Sequence, residues 1–464
     1  MALHSDGKPE FSNGYRRWLI FILLLVSIFN FADRAILAVL AQPIKEDLQL
    51  TDTDLGLLQG IGFAIFYAFL GIPLGMLADR VKRKSLIAGC VALWSAMTVA
   101  CGFATNFTTL LLGRIGVGVG EAGVQPALSS LLADHFRSNR RASIMAIVTL
   151  GSPIGFLVGQ SVGGWVASVW NWRAAFAVMG IPGLLVAMLV VLTLREPPRG
   201  LADGATPAGP PPSLMTVVRY LLSKPTYLHL LAGTTIAGFT LNAVATFVLP
   251  FYLRGFDVPL AVLGALFGVV SFTSNGLGML AGGFGFDWLA KRDVRWSVWG
   301  PAIALCLCIP FYFGAFSSPA LGLSLACIWF GNFTLITYFA PTSGTMQNLV
   351  GSRMRATATS ITFLFGSLLG AGLGPTVVGI LSDFYGKRAF PLGHFIASCP
   401  GGRAPAGAAA TFDQACRTAS MDGLRLALIS VLVIFLWAAI HYLLAARTLK
   451  RDLYSVEAAS GSPA

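Results

Sequence analysis

Residues 75–84 read GMLADRVKRK, and residues 282–293 read GGFGFDWLAKRD. Each stretch follows a long apolar run and leads into another. Each also sets an aspartate, Asp79 or Asp287, four residues after a glycine, Gly75 or Gly283, beside several cations. The same offset aligns Leu55-Gly56 with Leu263-Gly264, and a second echo pairs Arg141-Ala142 with Arg355-Ala356. A chain that repeats itself in this way is built from two copies of one unit. Short basic connections between apolar runs are the pattern of loops between membrane helices.

Composition agrees. Of 464 residues, 55% are hydrophobic and 11% charged, and the mean hydropathy is +0.74. A soluble chain carries about 25% charged residues, so this one has too few polar side chains to cover a water-facing surface. That excludes an ordinary soluble enzyme. The net charge of +12 falls in short runs between apolar segments, as topology-setting loop charge does, and no nucleic-acid partner is expected.

A membrane helix needs about 20 mostly apolar residues, and twelve such runs are present. They lie over 18–41, 55–78, 86–104, 108–132, 143–167 and 174–194, then over 226–252, 260–287, 297–316, 320–346, 358–382 and 423–446. The expected organisation is an N-terminal tail (1–17), a six-helix bundle (18–194), a linker (195–225), a second six-helix bundle (226–446) and a C-terminal tail (447–464). The linker is dense in Pro and Gly, REPPRGLADGATPAGPPPS, and reads as flexible. The tail ahead of Arg16-Arg17 resembles a signal peptide, but the apolar run that follows is too long and lacks a cleavage pattern. Of 32 Lys and Arg, 22 fall in loops on one side and eight on the other, with Arg34 and Arg114 inside spans. This bias puts both termini in the cytoplasm. Two parallel six-span repeats form a transporter architecture with a binding site near the midplane.

Ionisable residues inside spans are costly and mark function. Here they cluster in the first half: Asp33 and Arg34 in span one, Arg114 and Glu121 in span four. Arg114 and Glu121 are two helical turns apart and project from nearly one face. Gly116, Gly118 and Gly120 between them let a neighbouring helix or a substrate approach. Both a structural ion-pair knot and a proton and headgroup site are consistent with the four charges. The equivalent positions in the second half carry Leu241-Asn242 and the stretch from Trp329 to Ile336, with Tyr338 close by, and no charge. A cavity charged on one wall and apolar on the other suits an amphipathic substrate. Asp33 and Glu121 are the expected proton-coupling acids, and Arg34, Arg114, Glu121, Asn242 and Tyr338 the expected substrate contacts. The expected gating motif is Gly75, Asp79, Arg80, Arg83 and Lys84, with Asp287 in the second copy.

The GxLADRxxRK loop resembles the signature loop of the major facilitator superfamily. Within that superfamily, FADRAILAVL (31–40), VGVGEAGVQPALSSLLADHF (117–136), GGWVASVWNWRAAFAVMGIPGLL (163–185) and REPPRG (195–200) resemble the Spinster family. The resemblance spans all twelve runs. It implies an all-α membrane protein and proton-coupled carriage of lysolipids or sphingoid phosphates, with Asp33, Arg114 and Glu121 as working residues. Organic-anion symporters of the same superfamily share the Asp-Arg pair and the Arg…Glu pattern. A symporter of that type or a drug exporter is therefore the alternative. The expected setting is a bacterial inner membrane, with the bilayer, protons and a small amphipathic molecule as partners. No cofactor, no metal and a monomer are expected.

Cys399 and Cys416 alone among seven cysteines lie outside apolar runs, on the same non-cytoplasmic side in the loop 383–422. A disulfide and two free thiols both remain open there.

Overall fold

A membrane core offers the backbone no hydrogen-bond partner, so each apolar run must satisfy its own amides as a helix. A computed structural model describes residues 2–3, 9–78, 80–136, 138–198, 213–351 and 354–453. Among them, twelve helices are long and apolar enough to cross a membrane. Spans one to six run Asn13–Asp47, Asp52–Ala78, Arg83–Cys101, Phe107–His135, Ser143–Val169 and Trp172–Thr193. Spans seven to twelve run Pro225–Gly255, Leu260–Ala290, Trp296–Ser317, Leu321–Asn348, Thr357–Ala389 and Ala410–Asp452. One two-residue strand pair, Ala2–Leu3 with Pro9–Glu10, precedes them.

Three differences from the sequence reading have physical causes. Several spans are interrupted: span four breaks at Gly123, and span eleven carries a π-helical turn at Gly366–Gly372. Hydropathy does not register such breaks, because the residues around them stay apolar. Spans eleven and twelve also outlast their apolar runs through polar turns. The expected loop 383–422 shrinks to residues 390–409, and its cysteines form the disulfide Cys399–Cys416. Finally, the linker is not wholly irregular. Leu214–Leu222 forms a helix whose N-cap Ser213 accepts a hydrogen bond from the Thr216 amide.

The chain divides into two compact units. Unit one comprises residues 1–50, 62–208 and 257–269. In it, span five carries glycines at every fourth position, Gly151, Gly155 and Gly159, on the face that meets span one. A Cβ at Gly155 would stand 2.5 Å from the Ile28 carbonyl oxygen, and one at Gly159 would stand 2.5 Å from that of Ala32. The bare face lets the backbones pack directly and holds Asp33 and Arg34 in register. Gly116 and Gly120 of span four do the same against Met97 and Trp94 of span three, while Gly118 faces Phe63 of span two. The span-four glycines thus serve neighbouring helices. At the start of span eight, Gly264 packs on Gln160 and Gly164.

Unit two comprises residues 51–61, 209–256 and 270–464. Gly233 of span seven lies under the Tyr442 ring of span twelve, and Gly370 of span eleven lies against the Thr235 carbonyl. The first turns of span two, Asp52–Gln59, belong here: Gly56 and Gly60 pack on Pro375 and Gly372 of span eleven. The offset relating Gly56 to Gly264 also relates Gly372 to Gly164. Each unit thus holds a glycine-bearing segment from the other sequence half, packed close on span five in one unit and on span eleven in the other.

Candidate functional site

Asp33, Arg34, Arg114 and Glu121 come together inside unit one. Arg34 donates from Nε at 2.8 Å and from a terminal nitrogen at 2.7 Å, both to Oε2 of Glu121. Its side chain is 30% exposed, while that of Glu121 is fully buried. Three aromatic rings surround its guanidinium: Phe31 at 5.8 Å, Phe63 at 5.2 Å and Tyr67 at 4.9 Å. Arg114 is buried and its guanidinium stands 5.3 Å from the same Phe63 ring. One ring thus contacts two cations. The spacing of Arg114 and Glu121 suggests that they pair with each other. In the structure Glu121 takes its ion pair from Arg34.

Each member of the cluster except Arg34 keeps an unused polar atom. Asp33 Oδ2 accepts a hydrogen bond from Thr98 Oγ1 at 3.1 Å, while Oδ1 has no partner among the described residues. Arg114 Nε and Glu121 Oε1 are likewise buried without one. A buried polar atom left unpaired costs about 1–3 kcal/mol, so three in one cluster mark a place that something else completes. Phe63, Tyr67 and Thr98 escape a reading based on charge alone. The signal for the two aromatics is their i, i+4 spacing in span two; Thr98, in span three, carries none.

The basic loop is tied to unit one. Arg83 is buried and bonds Asp134, Glu196 Oε1 at 2.7 Å and the Pro197 carbonyl at 2.9 Å. The Lys84 amide donates to Glu196 Oε2 at 3.0 Å, and Lys84 Nζ to the Leu194 carbonyl at 3.2 Å. Burial raises the Glu196 carboxyl, but the Lys84 amide and the Arg83 guanidinium outweigh it and hold it below the usual range. Arg83 therefore staples spans three, four and six, a role beyond loop charge. Arg80 is exposed, and Gly75 is half-buried with Pro126 no closer than 3.8 Å to an added Cβ. Asp79 lies outside the described residues.

In unit two the expected polar contacts are already engaged. The Asn242 amide donates to the Gly238 carbonyl of its own helix at 2.7 Å. Tyr338 is buried and packs edge-on against Tyr442. Asp287 is exposed, and with Gly283 it lines a cavity of about 230 Å³ reaching Gly344 and Asn348. The fold also builds clusters that the sequence reading did not anticipate. Arg254 grips Asp52 bidentately at 2.6 and 2.7 Å, and Ser382 Oγ donates to Asp52 Oδ2 at 2.6 Å. Asp383 accepts from the Asp52 and Thr53 amides at 3.1 and 2.8 Å, capping the short helix Asp52–Gln59. His229 and His441, scattered in sequence, face each other with Nδ1 atoms 3.1 Å apart. Among the described residues no group of three or more His, Cys, Asp or Glu comes together to hold a metal ion.

Comparison with known proteins agrees with this arrangement. The profile described as Major Facilitator Superfamily matches residues 23–375. An "MFS-type efflux pump" of Mycolicibacterium smegmatis is 34% identical over 79% of this chain and 85% of its own length. "Protein spinster homolog 1" of Homo sapiens is 28% identical over 80% of this chain and 74% of its own. A crystal structure of a bacterial homologue of the human lysosomal transporter Spinster, inward-facing and unoccupied, superposes with a TM-score of 0.88 at 32% identity. That match covers 96% of this chain and all of the other.

Proposed function

This chain belongs to the major facilitator superfamily, whose members are carriers and not enzymes, and on that premise we propose that it is a proton-coupled transporter of an amphipathic, lipid-like molecule working by alternating access. The observation that carries this reading is the buried cluster of unit one, with unpaired atoms on Asp33, Arg114 and Glu121. A buried carboxylate without an ion-pair partner is relieved by taking up a proton, and among the described residues Asp33 takes its hydrogen bond from the Thr98 hydroxyl. Asp33 and Glu121 are then the proton sites. Arg34, partly exposed within its aromatic surround, takes an anionic headgroup in exchange for Glu121. The pseudo-equivalent positions of the second sequence half, Leu241-Asn242 and Trp329 to Ile336, carry no charge, which fits a substrate with an apolar part. The Spinster relatives support the lipid-like class.

Reconstituted protein given an inward proton gradient should move a labelled lysophospholipid. Asp33→Asn and Glu121→Gln should each lower the gradient-driven rate by about tenfold or more while substrate-independent folding persists. Equal flux with and without the gradient in the wild type would refute coupling. A second reading, drug export, draws on the mycobacterial efflux pump. It predicts that a cationic dye, and no lysolipid, competes for transport.

A further inference from the structure

The linker helix Leu214–Leu222 presents an unusual division of faces. Its sequence, LMTVVRYLL, contains six apolar residues that occupy a continuous arc of about 160° at 100° per residue. Half of that arc is docked: Val217 and Leu221 are buried, and the Tyr220 hydroxyl donates to the Leu349 carbonyl at 3.2 Å. The other half is bare. Leu214, Met215 and Leu222 are 65%, 66% and 61% exposed. Arg219 borders this bare strip on the helical wheel and is itself exposed; half-buried Lys224, one residue after the C-cap Ser223, holds its ammonium 5.4 Å from the Tyr220 ring. Residues 213–224 contain no acidic side chain.

Position identifies what covers the strip. Span seven starts at Pro225, so the helix is joined to the end of a membrane-crossing segment by only Ser223 and Lys224. A helix held there lies at the level of the lipid headgroups. We propose that Leu214–Leu222 is an interfacial helix that binds acidic phospholipid: Leu214, Met215 and Leu222 enter the acyl boundary while Arg219 and Lys224 meet lipid phosphates. An apolar strip edged by cations is the pattern of helices that lie on anionic bilayers, and each basic residue near such a surface contributes about 1 kcal/mol.

The test uses the full chain in liposomes, with an environment-sensitive fluorophore on Met215→Cys and the unsubstituted protein as labelling control. In vesicles of phosphatidylcholine with phosphatidylglycerol, the label should be quenched by shallow spin-labelled lipid and shielded from aqueous iodide. Arg219→Gln with Lys224→Gln should lower phosphatidylglycerol retained through purification by roughly fivefold or more, with the melting temperature unchanged. A label open to iodide overturns the surface assignment. Shielding without lipid quenching, with cross-linking between copies, makes the strip a protein contact and overturns it too. Lipid quenching that is equal in pure phosphatidylcholine, with retention unchanged in the double variant, overturns the acidic-lipid claim.

Discussion

Two arginines fewer than 6 Å from one phenylalanine ring have different duties, and burial separates them. Arg34 reaches the partly exposed edge of its cluster and already holds Glu121, whereas Arg114 is enclosed with an unpaired Nε. Arg34→Lys should therefore keep the charge but lose the fork that engages Glu121 through two nitrogens. Lysolipid affinity in that variant should fall by about tenfold with the fold intact, read as a rise in the concentration giving half-maximal flux. An unchanged half-maximal concentration would remove Arg34 from the binding role. A second residue-scale prediction concerns acid stability. The Glu196 carboxyl is held below its ordinary 4.5, so its contribution is fully present above that value and is lost as pH falls through the lower folded value. Melting temperatures between pH 6 and 3 should decline in the wild type, and Glu196→Gln should remove part of that slope. Charges buried in apolar runs were legible in the sequence because they break a pattern. Which charge pairs with which was not, because Arg34 and Glu121 are 87 residues apart and only the packing of different spans brings them together.

At the scale of elements, hydropathy locates spans but not what interrupts or extends them. The polar turn around Asp383 at the end of span eleven reads as loop, yet it caps the short helix Asp52–Gln59 and lies beside the Asp52–Arg254 pair. Both side chains of that pair are almost fully buried. Removing one partner of such a pair costs about 3–5 kcal/mol, while replacing both with apolar residues is far cheaper. Arg254→Ala should accordingly lower the melting temperature sharply, and Arg254→Met with Asp52→Leu should recover most of the loss. Full additivity of the two changes would show that the pair is not coupled. The disulfide sits close by: Cys399 and Cys416 pack with Phe390 and Phe395 over the start of span twelve. Replacing both cysteines with serine should cost about 3 kcal/mol in the chain-entropy account, seen as a lower melting temperature with undiminished flux. The two cysteines were visible in the sequence as the pair outside apolar runs, but their bond depends on a turn of helix that apolarity alone does not reveal.

At the scale of the whole molecule, the repeat was legible from one basic loop and its echo, and the twelve spans from the apolar runs between them. The exchange of segments was not. Residues 51–61 and 257–269 look like ordinary span ends, and only packing assigns each to the unit built mainly from the other half. Two polypeptides cut within the linker, at residues 205–206, should thus be unable to mature alone. Expressed singly, each half should be degraded, and co-expressed they should yield a thermally stable, transport-competent complex. A stable, monodisperse half produced alone would disprove this. The history of the gene is constrained in the same way. If the two halves descend from one six-span ancestor with the same arrangement, a solitary copy would have left its Leu-Gly segment without the span it packs on. The ancestor would have existed as a swapped pair, each chain lending its Leu-Gly segment to its twin, and the fusion that joined them made permanent an exchange already in place.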